Sequence, residues 1–448
     1  MDMYELLKKY PLCHRCFGRL YGKLLHTANY ERGKSIKLSE GIRLESQLKE
    51  ICENDNENTD KKEEILKKLN ILYSTGLSEV KNIINTTNEK EDNNTNRVKS
   101  KCPWCKNIFQ SENLEKLSEK ILDLIKDYEY DTFLIGTILP KKIKEFENEL
   151  NTYYPHMESI KQEFNRVMGK IIMEKTNKIP DKVYPDIIIM VNPYKHKIKL
   201  QVNPIFIKGR YRKLVRGIPQ TKWPCKYCRG KGCEKCNYTG RQYPTSVEDI
   251  ISAPFMRESK GKDESFHGAG REDIDVRMLG NGRPFVLEIK EPKVRKLDLK
   301  KLMEEVNKSG LVEINNLQYG CRKDVVFFKN EPHKKTYEAL VECNDSITEN
   351  ELNDLVKKMS NLTIHQRTPL RVSHRRSDLV RIRNVYDCSI TDIIDDKHFK
   401  LKIYCDGGLY IKELISGDEG RTKPSVSELL GKECICKELD VLEVHDNE

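Results

Sequence analysis

No run of apolar residues in this sequence approaches the roughly 18 that a membrane-spanning helix needs. The start, Met1-Asp2-Met3-Tyr4-Glu5, is acidic and lacks the apolar segment of a secretory signal. These absences lead to the expectation of a cytoplasmic protein and not a membrane or secreted one. Nucleotide-binding signatures are missing too. There is no Walker sequence, and Gly268-Ala269-Gly270 lacks the third glycine of a dinucleotide fingerprint. That argues against chemistry driven by ATP or an organic cofactor. What remains is a chain of 448 residues, 37% hydrophobic and 33% charged, which suits two or three globular domains.

Cysteine, by contrast, is plentiful. Eight of the 15 cysteines form four Cys-x-x-Cys pairs: Cys13/Cys16, Cys102/Cys105, Cys225/Cys228 and Cys233/Cys236. Two thiolates so spaced reach one tetrahedral zinc from a single turn. A disulfide framework is the alternative, but it belongs to small oxidised domains. The expectation is two structural zinc ions. The last two pairs form a compact knuckle, in which Gly230 and Gly232 let the backbone turn until the thiolates converge. The first two pairs would join distant segments if they share one ion; alternatively each recruits other cysteines. Cys52, Cys321, Cys343, Cys388, Cys405, Cys434 and Cys436 lie in mostly apolar stretches and are expected in the core.

Acid is scarce where base is dense. Between Lys208 and Arg241 there are 11 lysines and arginines against the single acid Glu234, which equals the +10 excess of the whole chain. Tyr211, Trp223, Tyr227 and Tyr238 interleave with these cations, a composition suited to phosphates and stacked bases. A second block holds Arg367, Arg371, Arg375, Arg376, Arg381 and Arg383 against Asp378 alone. A charge run is commonly a solvated face, but two near-pure basic blocks favour an RNA partner. The candidate RNA-binding residues are Lys208, Arg210, Arg212, Arg216, Arg375 and Arg376.

Periodicity organises the rest. Residues 53–64 and 86–101, rich in Asn, Asp, Glu and Lys, are expected to be mobile linkers flanking a short helix through Ile65–Tyr73. Helices are expected over Leu114–Lys126, 141–150 and 158–175, then strands at Ile187–Val191 and 198–202. Asn192-Pro193-Tyr194 is expected to turn the chain at a strand end. From about residue 245 a mixed sheet with amphipathic helices is expected. It includes a hairpin whose strands, 273–278 and 285–289, meet at Gly280-Asn281-Gly282. Asp298 and the Thr348/Glu351 pair are expected to cap helices, and Tyr337–Cys343 and Phe399–Cys405 to form strands. On the first hairpin strand, Asp273, Asp275 and Arg277 would share one face. They form either an exposed ion-paired face or a carboxylate held ionised by nearby cations.

That stretch, Gly270-Arg271-Glu272-Asp273, resembles the segment on which pseudouridine synthases present their indispensable aspartate. Lys335-Thr336-Tyr337-Glu338-Ala339 resembles the strand supplying their base-stacking tyrosine. Gly408-Leu409-Tyr410-Ile411-Lys412-Glu413-Leu414 resembles the strand carrying the basic partner of the aspartate, with Lys412 where arginine is common. With the cysteine pairs, Arg210-Tyr211-Arg212-Lys213, Gly217–Thr221 and the Gly270–Pro292 block, nearly the whole chain is similar to the archaeal tRNA pseudouridine synthases acting on positions 54 and 55.

The resemblance implies an α+β architecture with a zinc-bearing N-terminal segment (1–110) and a THUMP-type RNA-binding module ending in the four-cysteine knuckle (111–245). A pseudouridine synthase domain (246–448) would follow. It also implies that a buried Asp273 acts as nucleophile or base on a uridine extruded from tRNA. Tyr337 and Tyr410 would hold the base, Lys412 would pair with Asp273, and Arg271 would fill the vacated stack. Asp275 is the second candidate nucleophile, with a pair to Arg277 as its expected role. No organic cofactor, membrane or protein partner is implied. A THUMP-bearing methyl or sulfur transferase and a non-catalytic zinc-dependent tRNA binder are the alternatives.

Overall fold

The computed structural model describes residues 2–53, 59–87, 101–330 and 333–445, and the chain forms two compact units, Met1–Asn203 and Pro204–Glu448. Each has its own apolar core, one drawn from Leu6 to Val202 and the other from Ile205 to Val444. The units do not follow the expected boundaries at 110/111 and 245/246. The cysteine pairs at 13/16 and 102/105 share a core with the 111–202 segment, and the knuckle at 225–236 belongs to the second unit.

In the first unit, β1 (Thr132–Thr137), β2 (Ile179–Pro180), β3 (Ile187–Asn192) and β4 (Lys197–Val202) form a sheet in the order β2-β1-β3-β4. β1 and β3 are parallel, and β3 turns into antiparallel β4 after Asn192, where the Asn-Pro-Tyr turn was expected. Alternation buries Phe133, Ile135, Ile187, Ile189 and Val191. The expected helices appear as Ser111–Ile125, Lys141–Tyr153 and Ile160–Thr176, the last opened by a Ser159/Gln162 capping box. The helix Thr59–Ser74 reaches back over polar residues expected to be linker, where Glu63 and Glu64 pair with Lys67 and Lys68 one turn on; 54–58 and 88–100 lie outside the described residues. One long helix, Asn29–Glu53, is not among the expected elements; its buried apolar residues, Leu44 and Leu48, lie in its second half. It packs on helix His14–Arg19 through glycines: a Cβ on Gly18 or Gly33 would come within 1.9 Å of the opposing carbonyl.

The second unit is built on ten strands: β5 (Ile205–Lys213), β6 (Asp263–Gly268), β7 (Val276–Lys290), β8 (Val312–Gly320), β9 (Lys335–Cys343), β10 (Leu362–Arg367), β11 (Val380–Ile393), β12 (His398–Cys405), β13 (Thr422–Lys423) and β14 (Cys434–Val444). Their order is β13-β10-β11-β12-β9-β14-β7-β5-β8, with β6 on β7 and a parallel β14–β7 pair making the sheet mixed. Asp298 caps helix Leu299–Asn307, and the Thr348/Glu351 box caps Glu349–Met359, as expected.

Three expectations fail here. The sheet begins at β5, because Ile205, Ile207 and Tyr211 bury one face of the strand that also carries the arginines. The expected hairpin is one continuous strand. β7 pairs with β14 over Val276–Met278 and with β5 over Arg283–Ile289. Gly280 and Gly282 have positive φ (58° and 82°), and their missing side chains admit the carbonyls of Leu442 and Tyr211. They mark where the strand changes partner rather than direction. Finally, Cys343, Cys388, Cys405 and Cys434 are buried as expected, but Cys52 and Cys321 are exposed. Among the described residues no helix is long and apolar enough to cross a membrane.

Candidate active site

Beneath the Gly270–Asp275 loop lies a buried charge network that the sequence did not disclose. Glu272 is fully enclosed. The Tyr211 hydroxyl lies 2.8 and 2.9 Å from its two carboxylate oxygens, and the Arg283 Nε stands 3.0 Å away as an ion pair. Arg283 also donates to the carbonyl of Ala269 at 2.8 Å. From below, the buried Lys213 amine donates to the carbonyls of Ile218 (3.0 Å), Asp273 (3.0 Å) and Ile274 (3.1 Å). Burial pushes its pKa down to about 8, against the pull of Glu272. The loop backbone is thereby fixed. Gly270, at φ +83°, leaves room for Lys335 Nζ and the Arg283 guanidinium, which a Cβ would meet at 2.9 and 3.0 Å.

Asp273 and Asp275 lie on this loop and not, as expected, on a strand face, because a turn closed by Val276 N–H to the Asp273 carbonyl (3.1 Å) precedes β7. Asp273 is only half-buried, where full burial was expected; its side chain is 36% exposed to an open cavity of about 710 Å³. Tyr337 from β9, Tyr410, Lys412, Arg371 and Arg376 line the same cavity.

The cation beside Asp273 is Arg371, whose Nη1 lies 3.0 Å from Oδ2. Arg371 Nε donates to Glu413 at 2.5 Å, and its guanidinium stands 5.8 Å from the centre of the Tyr410 ring. Burial alone would lower the Arg371 pKa, but Glu413 and Asp273 outweigh it and hold the pKa above its ordinary value. Lys412, the expected partner of Asp273, instead donates to Asp275 at 2.6 Å. Burial raises the Asp275 pKa, yet Lys412 prevails and the net shift is downward. The expected Asp275–Arg277 pair is absent, because Arg277 faces Asp440 on β14, at 2.5 and 2.9 Å.

These reassignments follow from secondary structure. The stretch expected as a strand through Lys412 is a loop capped into helix Ile411–Ser416, with Gln366 holding Tyr410 by hydrogen bonds of 2.8 and 3.0 Å. On that helix Glu413, next to Lys412, reaches Arg371, which comes from the short helix Leu370–Arg375. Arg371 was visible only as one member of the second basic block. Tyr337 is buried beside the cavity, and burial pushes its hydroxyl pKa up.

The first basic block is largely spent inside the unit. Lys208 pairs with Asp324 at 3.0 Å and Arg212 with Glu313. Arg210 donates to the carbonyl of Val444, and Arg216 to those of Asp275 and Leu439. Arg376 reaches the cavity, and the side chain of Arg375 lies outside the described residues. Arg271 is exposed, and its guanidinium lies over the Trp223 indole, 5.0 Å from the ring centre.

Both cysteine quartets converge. Cys13, Cys16, Cys102 and Cys105 bring their sulfurs within 4.8 Å of one another, as do Cys225, Cys228, Cys233 and Cys236. Their close Sγ–Sγ distances, 3.8 Å in the first set and 3.7–4.0 Å in the second, fit the edge of a tetrahedron with metal–sulfur bonds of about 2.3 Å. In the knuckle, Gly230 and Gly232 take the expected positive φ, and Gly232, Cys233 and Gly240 aim N–H groups at thiolates at 3.2–3.3 Å. Either quartet could hold a metal ion. With four thiolates, neither leaves an open position for chemistry.

Residues 206–445 match the family model "Pus10, C-terminal", and 117–192 match "Pus10 THUMP domain, archaeal". The chain is similar to proteins named tRNA pseudouridine synthase Pus10. With that of Methanocaldococcus jannaschii it shares 59% identity, covering 99% of this chain and 94% of that protein. With that of Pyrococcus furiosus it shares 41%, covering 99% and 97%. Among solved structures, a chain of a Cbf5-Nop10-Gar1 complex aligns at 15% identity and a TM-score of 0.30, covering 53% of this chain and 48% of that one, a likeness too slight to argue from. With relatives this similar over nearly its whole length, this chain belongs to the Pus10 family.

Proposed function

We propose that this chain isomerises uridine to pseudouridine in tRNA, at positions 54 and 55 of the T loop, with Asp273 as the catalytic group and no organic cofactor. One observation carries the reading. A half-exposed carboxylate on a rigidly anchored loop is paired with Arg371 and shares a nucleotide-sized cavity with Tyr337 and Tyr410. The target uridine leaves its loop at a cost of about a few kcal/mol in unstacking. Asp273, kept ionised beside Arg371, serves as nucleophile or base while the N1–C1′ bond breaks. The uracil turns between Tyr337 and Tyr410, and C5 bonds to C1′. C5 gives up its proton and N1 gains one, so substrate and product are isomers and neither oxidant nor ATP is consumed.

Lys412 holds Asp275, which keeps that second carboxylate from competing for the uracil. Arg376 and Arg381 on the cavity wall meet flanking phosphates. Zinc in each cysteine quartet is structural. The first unit, with its THUMP-type segment, grips the tRNA, and the enzyme works in the cytoplasm beside its substrate.

The test is unmodified transcribed tRNA incubated with the protein and no added cofactor, followed by mapping of pseudouridine. Wild type is expected to modify positions 54 and 55, and Asp273→Asn to form no product while binding tRNA within about three-fold of wild type. Turnover by Asp273→Asn, or a product that requires S-adenosylmethionine or ATP, would end the assignment.

A further inference from the structure

Trp223 is one of two tryptophans in the chain. The other, Trp104, is fully buried in the first unit, whereas Trp223 is half-exposed on the wall of the Asp273 cavity. Its indole carries the Arg271 guanidinium on one face and meets Tyr243 edge-on, with ring centres 5.7 Å apart. A large ring at the cavity wall, already faced by a flat guanidinium, has the form of a site for a flat π-system.

The position of this ring is set by the knuckle. Trp223 stands two residues before Cys225, at the neck where the knuckle joins the unit. There the two chain segments clamp each other: Cys225 N–H donates to the Gly240 carbonyl at 2.7 Å, Gln242 N–H to the Trp223 carbonyl at 3.0 Å, and Pro224 bridges to Arg241. The Gln242 side chain adds a bond to the Pro224 carbonyl at 2.8 Å. Beyond the neck lie the four thiolates, so a metal that closes the knuckle also closes the clamp.

We propose that Trp223, held in place by the metal-binding knuckle, is a stacking platform for the RNA base next to the extruded uridine. The base takes the place of the Arg271 guanidinium on the indole. Every nucleobase has a face suited to such stacking, so the contact contributes affinity and position without choosing sequence. The displaced Arg271 is then available to the RNA. Trp223 is a positioning residue: it touches the neighbour of the reacting nucleotide and not the reacting atoms. This inference rests on the proposed reaction only for which nucleotide is the neighbour.

Two measurements on the full-length protein test it. In the first, the difference in emission between wild type and Trp223→Phe isolates the Trp223 signal, and saturating unmodified tRNA is expected to quench it. In the second, Trp223→Ala is expected to raise KM for pseudouridine formation roughly ten-fold with kcat within about two-fold, and Trp223→Phe to restore most of the loss. Cys228→Ser, which opens the knuckle, is expected to shift Trp223 emission to the red and to raise KM as Trp223→Ala does. Unquenched Trp223 emission in a protein that still forms pseudouridine overturns the platform and leaves the reaction standing. Quenching in a protein that forms none overturns the reaction and leaves an RNA-stacking surface. Unaltered emission in Cys228→Ser overturns the coupling of knuckle to platform.

Discussion

The two cysteine quartets have the same chemistry in opposite surroundings. In the first, Cys16, Cys102 and Cys105 are buried in a core that includes Leu12, Phe17 and Trp104. The fully buried Arg19 donates to Cys16 Sγ at 3.2 Å and lies under the Trp104 ring at 4.7 Å. In the second, only Cys225 is buried; Cys228, Cys233 and Cys236 are half-buried on a surface loop whose Tyr227 and Tyr238 are 70% and 72% exposed. A metal in the first site would tie two segments distant in sequence, Cys13/Cys16 and Cys102/Cys105, together inside a hydrophobic core. A metal in the second closes a loop beside a cavity. One site should therefore govern folding and the other should govern binding.

The largest expected effect comes from opening the buried site. Cys102→Ser removes a ligand and leaves a hydroxyl among apolar side chains. Its cost to the first unit is expected to exceed about 4 kcal/mol. Calorimetry of the full chain should show that unit's transition lost or moved far down while the second unit's transition stays. A small shift would mean that no metal holds the core together.

The next effect tests what else supports the buried site. Arg19 is paired with Glu163, and both are almost wholly inaccessible, while Glu163 also receives Arg15 at 3.0 Å. Arg19→Met leaves Glu163 with only the half-exposed Arg15, and removing one partner of a buried pair costs about 3–5 kcal/mol. Urea unfolding followed by far-UV dichroism should report it. A cost under about 1 kcal/mol would place the stabilisation in the metal alone.

The difference between the two sites was only partly legible in the sequence. Spacing gave the four pairs, and the knuckle with its glycines, because metal geometry acts locally there; it left open whether the first two pairs share one ion. It could not show which set is buried, since Cys13/Cys16 and Cys102/Cys105 meet only when the chain folds. The same division runs through the fold and the active site. Helices and strands with clean periodicity, such as Ile160–Thr176, β3, β9 and β12, were readable. The Asn29–Glu53 helix was not, because its buried leucines, Leu44 and Leu48, lie in its second half, while its first half packs by close backbone approach at Gly18 and Gly33. Asp273, Tyr337 and Tyr410 came from local motifs and do share one cavity. The partner of Asp273 did not. Local sequence put Lys412 close by, but a helix where a strand was expected turns Lys412 to Asp275 and brings Arg371 in from a separate segment. The network of Tyr211, Lys213, Glu272 and Arg283 was invisible for the same reason. Each member reads as one more charged or aromatic residue until β5 and β7 pair.

Of the lysines buried among the described residues, Lys37 in the first unit and Lys213 in the second donate to backbone carbonyls, and Lys335 does not. Lys37, near the first quartet, donates to the carbonyls of Leu12 and Thr75 at 2.7 and 3.0 Å. Lys335, on the cavity wall, has no hydrogen-bond partner for its amine among the described residues, and burial, with Arg283 nearby, pushes its pKa down to about 7. The unfolded chain holds that proton up to about 10.5, so it binds more protons than the folded chain between about 7 and about 10.5, and stability rises with pH across that window. Below about 7 the second unit bears the full cost of a charged buried amine. Lys335→Met should therefore stabilise the second unit by about 2–3 kcal/mol at pH 6, with the gain shrinking as pH rises towards 10. Thermal unfolding of wild type and variant across that range checks the sign. A gain that grows with pH would show that Lys335 is not the titrating group.

The smallest expected effect on stability separates the two sites most sharply. Cys236 lies at the tip of the knuckle, accepts N–H groups from Cys233 and Gly240, and stands 3.7 and 3.9 Å from two of its fellow thiolates. Serine keeps those N–H contacts but is a poor ligand for a soft metal. Metal analysis of Cys236→Ser is therefore expected to find one ion per chain in place of two, while both unfolding transitions stay within about 1 °C of wild type. The affinity for tRNA should fall several-fold over the same comparison, because the neck that carries Trp223 is no longer held shut. Were the second unit instead to melt as early as the first does in Cys102→Ser, the knuckle would be part of a folding core in spite of its exposure, and burial would not be what distinguishes the two sites.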